Sequence, residues 1–188
     1  MSQPILITGN PIKLRLAKAI FDQYGLEFDH QKLELPEIQA ETTEEIAMFS
    51  AKWAAKELNG SVIVNDVGYY IHALGGFPGP FIKYINKWLQ SSDILKMMTG
   101  NTDREMQIHD VTAYCDPGHE PIVFTSKQFA TITETAVTGT SSMIDEITLL
   151  NGFDKVQSSV SLEDKFNYWV ENVSNYHDMA KYLISKSK

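Results

Sequence analysis

The sequence predicts an α/β protein, and three observations predict it. Two short apolar runs, Ile5-Leu6-Ile7 and Val62-Ile63-Val64, read as buried strands. Each leads through a loop bearing glycine and proline into a helical pattern. Two longer β-rich runs, 105–116 and 121–135, flank Asp116-Pro117-Gly118-His119 and read as an antiparallel hairpin with one wet face.

The first strand, 4–8, is broken by Gly9-Asn10-Pro11. Asn10 suits a helix N-cap and Pro11 the first helical position. Leu14, Ala17, Ile20, Phe21 and Tyr24 share one face of that helix, and Gly25 ends it. Backbone N–H groups, Thr8 and Lys13 are thereby aimed at one point, which attracts phosphate. The same pattern also fits an ordinary strand–helix unit with Lys13 in solvent. Residues 27–35 read as a second strand, followed by the extended loop Leu35-Pro36-Glu37-Ile38-Gln39. Thr42 and Glu45 form a capping box for a helix to about Leu58, with Ile46, Phe49, Trp53 and several alanines inward.

Residues 62–84 organise the chain. Asp66 stands where the strand begun by Val62 is expected to end, which in an α/β protein faces the crevice where ligands bind. Three glycines and two prolines follow within Leu74-Gly75-Gly76-Phe77-Pro78-Gly79-Pro80. Glycine allows a close backbone approach and proline stiffens the loop, although turn chemistry alone also explains the run. A helix with Phe81, Ile82, Ile85, Trp88 and Leu89 comes next, then a short helix at 92–99. Residues 138–161 read as loop around Asn151-Gly152-Phe153-Asp154, and helices at 162–170 and 174–186 close the chain.

Composition narrows the function classes. At 188 residues the sequence suits one domain, 1–188, with a substantial core. The net charge of −8 argues against electrostatic capture of nucleic acid or of an anionic membrane. The single cysteine, Cys115, excludes an internal disulfide framework and reads as a small core residue. No run approaches the roughly 18 apolar residues of a membrane span, and the N-terminus lacks a signal-peptide pattern, so a cytoplasmic protein is expected. The five histidines show no metal-ligand spacing.

Several fragments together resemble one family. Thr8-Gly9-Asn10-x-x-Lys13, Leu35-Pro36-Glu37-x-Gln39, Asp66, and Ala73-Leu74-Gly75-Gly76-x-Pro78-Gly79-Pro80 with Ile82-Lys83 occur in the order and spacing of the inosine triphosphate pyrophosphatases. The resemblance spans the chain and is strongest over residues 5–85. It implies hydrolysis of non-standard purine nucleoside triphosphates to monophosphate and pyrophosphate. It also implies an elongated, two-lobed fold with a central, twisted mixed sheet, helices around it and a long β-hairpin in the second lobe, with the nucleotide in the groove between the lobes. A homodimer and Mg²⁺ dependence are implied with it.

By the same resemblance Glu37 and Asp66 hold metal, and Asp66 orients and deprotonates the attacking water. Thr8, Gly9, Asn10 and Lys13 hold the triphosphate, Lys13 also serving catalysis, and Val67 and Gly76 fall at substrate-contacting positions. Phe153 lines the base pocket and Asp154 reads the purine edge. The sequence departs from the pattern elsewhere. Asn65 stands in place of a second acid, Val67 in place of a hydroxyl residue, and Lys52 lies two residues from where a lysine is expected. Val170 replaces a lysine, and Ser174-Asn175-Tyr176 replaces Ser-His-Arg, leaving Asn175 and Tyr176 at the positions that grip base and phosphate. Replacing arginine by tyrosine removes a charged fork. A nucleotide-binding or regulatory protein with little turnover is therefore the alternative reading.

Overall fold

A computed structural model of the chain describes residues 3–139 and 142–186. Its strands are β1 (Ile5–Ile7), β2 (Asp29–Gln31), β3 (Val62–Ile71), β4 (Pro78–Gly79), β5 (Glu105–Cys115), β6 (Ile122–Ile132) and β7 (Thr148–Leu150). The helices are α1 (Pro11–Gln23), α2 (Thr43–Leu58), α3 (Ile82–Trp88), α4 (Ser91–Met97), α5 (Leu162–Asn172) and α6 (Ser174–Lys186). The strands form one mixed sheet in the order β2-β1-β3-β5-β6-β7, with β4 paired to β3. β1 runs parallel to both β2 and β3, whereas β3–β4 and β6–β7 are antiparallel. The expected α/β class and the mixed sheet flanked by helices are observed.

The chain divides into two compact units, residues 1–67, 110–126 and 169–188 in the first and 68–109 and 127–168 in the second. Both are assembled from separated segments, so neither corresponds to a single stretch of sequence.

In the first unit the strands alternate their side chains between two helical layers. Ile7, Val62, Val64, Val111, Ala113 and Cys115 pack against Ala47, Ala51, Ala54 and Ala55 of α2. Here the expected inward set is corrected. Phe49 is 42% exposed, and the alanines form the buried stripe, because side chains this small let a helix backbone approach a sheet of β-branched residues. The capping box of Thr42 and Glu45 is present, and Asn59 ends the helix in the left-handed region at φ 47°. The alternate strand residues face α1 and α6, which pack on each other. Leu16, Ala17, Ile20 and Phe21 form the buried face of α1.

Three other element expectations change. β3 runs on to Ile71, so Asp66 lies in mid-strand rather than at the strand's end. The aromatic and β-branched residues after Asp66 sustain pairing, and Tyr69 and Tyr70 take β4 as partner. β2 is three residues, not nine, and wholly exposed. The loop expected at 138–161 contains β7, whose Thr148 and Leu150 pair with Ile132 and Ala130; residues 140 and 141 lie outside the described ones.

The first unit is tied at its C-terminus by one ion pair. Lys186 of α6 donates to the Asp116 carboxylate beside the β5–β6 turn, and Ser61 and Tyr114 hydroxyls each donate to that carboxylate at 2.6 Å. Burial works against ionisation of Asp116, but the Lys186, Ser61 and Tyr114 donors outweigh it and hold the carboxyl down at about 2. A folded-state value below the ordinary one contributes stability that is complete above the unfolded carboxylate range and lost as pH falls towards 2. Asp116→Asn should therefore cost about 1 kcal/mol at pH 7, since solvent screens this partly exposed pair, and its thermal midpoint should fall less steeply than the wild-type one between pH 4 and 2 when followed by circular dichroism.

Candidate active site

The site grows from the parallel register of β1 and β3. Ile5 lies opposite Val62 and Ile7 opposite Val64, so Thr8-Gly9, which leave β1, come beside Asn65-Asp66, which continue β3. After β1 the chain turns at once into α1. Asn10 caps the helix, its Oδ1 accepting from Ile12 N–H at 2.9 Å, and its own N–H donates to Thr8 Oγ1 at 3.1 Å. Gly9 is exposed, and a Cβ added there would meet nothing within 4 Å. Its small size is therefore not demanded by protein packing. The loop presents a helix N-terminus with a hydroxyl and an amide beside it, a suitable place for an anion.

Lys13 is in the first turn of α1, but its side chain is not loose in solvent. The ammonium donates to the Asn65 carbonyl at 2.9 Å, which sets a cation beside Asp66. Asp66 is half-buried and points to the α2 face, sharing the alternation of Val62 and Val64. Its Oδ1 accepts from Val67 N–H at 2.9 Å. Glu37 is exposed and lies in the loop between β2 and α2. Leu33 and Leu35 of that loop pack against the α2 cluster. Val67 is half-buried and offers no side-chain hydrogen bond.

The opposite face holds a polar network that the sequence reading passed over. Asn65 is buried, and its amide donates to Asp110 Oδ1 at 2.5 Å and to the Val111 carbonyl at 3.0 Å. Asn175 of α6 donates to the same Asp110 oxygen at 2.6 Å. Asn175 and Tyr176, expected at the ligand, are both fully enclosed, Tyr176 packing edge-on against Phe21 at 6.4 Å. The only sign of Asp110 in the sequence is a charge inside a β run, which reads equally as a solvent-facing strand position. Lys52 is drawn elsewhere, to Glu120 at 2.5 Å, while Glu44 accepts from Thr125 at 3.0 Å.

The second unit holds Gly76, Phe153 and Asp154. Gly76 and Gly79 adopt φ of +91° and +57°, and a Cβ at Gly79 would stand 3.3 Å from the Gly76 carbonyl and 3.4 Å from the Tyr70 ring. Glycine is thus required for the loop to close over Tyr70, whose other neighbour is the stacked His109 ring at 4.2 Å. Phe153 is half-buried against Tyr168 at 5.2 Å, and Asp154 is exposed. Trp88 is 66% exposed and stacks on Tyr84. Among the described residues one group of three potential metal ligands stands out, His72, Asp103 and Glu105, despite the unpromising histidine spacing. His72 is already hydrogen-bonded to Asp103 there, on the surface.

Comparison with known proteins follows this geometry. The family model described as the Ham1 family matches residues 5–167. A dITP/XTP pyrophosphatase of Methanopyrus kandleri is 35% identical over 161 residues, covering 86% of each chain. An inosine triphosphate pyrophosphatase of Puccinia graminis is 36% identical over 127 residues, 64% of this chain and 66% of that one. The structure of a HAM1 protein from Coxiella burnetii superposes with a TM-score of 0.81 at 18% identity, covering 98% of this chain and all of the other. The Staphylococcus aureus Ham1 structure gives 0.75 at 22% identity over 99% of this chain and 100% of that one.

The placement of Lys13 generates a direct test. Lys13→Ala should leave the fold intact and weaken binding of inorganic triphosphate roughly ten- to a hundredfold, with a smaller effect on orthophosphate, as read by isothermal titration calorimetry. Equal effects on both anions would return Lys13 to a general surface role.

Proposed function

This chain belongs to the Ham1 family, and from that premise we propose that it hydrolyses non-standard purine nucleoside triphosphates to the monophosphate and pyrophosphate. The observation that carries the reading is the convergence of the Thr8–Asn10 loop, Lys13 and Asp66 at the adjacent ends of β1 and the first half of β3. A triphosphate suits a helix N-terminus reinforced by an ammonium group. In this reading Thr8, Gly9 and Asn10 bind phosphate oxygens and Lys13 takes up the charge that the leaving pyrophosphate develops. Asp66 orients a water and accepts its proton as the bond between the first and second phosphates breaks.

Glu37 and Asp66 supply hard carboxylate oxygens. That set fits Mg²⁺, which binds through one or two carboxylates and keeps water and phosphate oxygens as its other ligands. Bound there, Mg²⁺ would neutralise phosphate charge and make water more acidic. Val67, Gly76, Phe153 and Asp154 complete the proposed substrate contacts. Asn175 and Tyr176 act from inside the protein rather than on the base, so purine selectivity rests on fewer polar groups.

The same reading includes a cytoplasmic homodimer that takes a free nucleotide rather than nucleic acid. The exposed Trp88 and Phe81 support the dimer, and the charge of −8 supports the small-molecule substrate. No described helix is long and apolar enough to cross a membrane.

The test is a panel of inosine, xanthosine, guanosine and adenosine triphosphates assayed for released pyrophosphate, with and without Mg²⁺. Inosine and xanthosine triphosphates should be the better substrates, and Asp66→Asn should lower turnover at least about 100-fold without lowering the thermal midpoint. Wild-type turnover by the variant would sink the mechanism. Binding without turnover of any of the four would favour the regulatory reading, which the enclosure of Asn175 and Tyr176 suggests.

A further inference from the structure

Asp110 is 7% exposed, and among the described residues its hydrogen-bond donors are neutral, the amides of Asn65 and Asn175. A carboxylate so placed is costly unless a cation answers it. Burial pushes its proton affinity up, and the Lys13 ammonium is the group that most strongly pulls it back. Lys13 is also bound to the residue that Asp110 holds. Asn65 is gripped at both ends, its amide by Asp110 and its carbonyl by Lys13. The Tyr176 hydroxyl lies in the field of the same carboxylate, and α6 closes over it.

Resting on the pyrophosphatase reading, we propose that Asp110 is a positioning residue whose negative charge holds the Lys13 ammonium at Asn65, ready for the incoming polyphosphate. Asp110 touches neither substrate nor metal in this account. It acts through Lys13, and Asn65 links the two. A lysine tethered in this way loses less side-chain freedom when phosphate arrives than one ranging through solvent. The carboxylate sits inside the protein, where it attracts the ammonium without competing with phosphate for its donors.

Asp110→Asn isolates the charge, because an asparagine oxygen still accepts from both amides. The sign of the stability effect follows from burial. A carboxyl whose folded value is raised contributes stability that is complete below the unfolded value and lost as pH rises through the folded one. At neutral pH D110N should therefore melt no lower than wild type. Its kcat/KM for inosine triphosphate should fall roughly tenfold. In a Lys13→Ala background, adding D110N should have no further effect, since the group it acts through is gone.

Additive losses in the double variant, an unchanged kcat/KM, or a lowered or absent thermal transition in D110N would overturn the proposal. If the wild-type protein turns over no nucleotide, the pyrophosphatase reading falls by itself. The same cycle is then read in affinity for inorganic triphosphate. Weakening by D110N in the wild-type but not the Lys13→Ala background supports the positioning role, and equal weakening in both overturns it.

Discussion

The parallel pairing of β1 with β3 is the constraint on which the rest of the site depends. It is set by buried strands of Ile, Leu and Val whose register places Ile7 against Val64. One residue beyond that pair, each strand leaves its apolar segment and becomes polar. A slip by one residue would exchange the faces of Asn65 and Asp66, turning the acid towards α1 and the amide towards α2. Hydrophobic burial therefore fixes which polar group faces which way, and α1 follows because Asn10 caps it immediately after the strand.

The two faces of the first unit carry different chemistry. On the α2 side stands Asp66, which shares the alternation of Val62 and Val64. On the α1 side stand the Lys13 ammonium and, enclosed beneath it, the amide–carboxylate network of Asn65, Asp110 and Asn175. The network is buried polar structure with a specific geometry, which a strand of aliphatic residues would not supply. Because β3 is central between β1 and β5, both networks use its backbone as a common frame.

Much of this was legible in the residues. The strand–loop–helix unit, the capping box of Thr42 and Glu45 and the hairpin at 105–132 follow from local signals that the structure preserves. The extent of β3 was not legible, because Asp66 and Gly68 interrupt the apolar pattern although cross-strand pairing with β4 continues beyond them. On the inward face of α2 the alanines and Trp53 were read correctly and Phe49 was not. Periodicity identifies large apolar residues, whereas the close approach of helix to sheet selected alanine. Lys13 and Asp66 were singled out by the family resemblance, and the strand register brings them near each other. Asp110 was not, since a lone acid in a strand carries no sign of burial until α6, more than sixty residues away in sequence, packs over it. Asn175 and Tyr176 were assigned by position, and only the packing shows their enclosure.

The central claim is that the adjacent ends of these two parallel strand segments form the seat of a polyphosphate. A crystal structure with a non-hydrolysable imido analogue of inosine triphosphate and Mg²⁺ tests it most directly. The account predicts phosphate oxygens on the N–H groups of the Thr8–Asn10 loop and on the Lys13 ammonium, with Asp66 facing the polyphosphate. A polyphosphate seated away from Lys13 and Asp66, with both side chains unchanged, would contradict it.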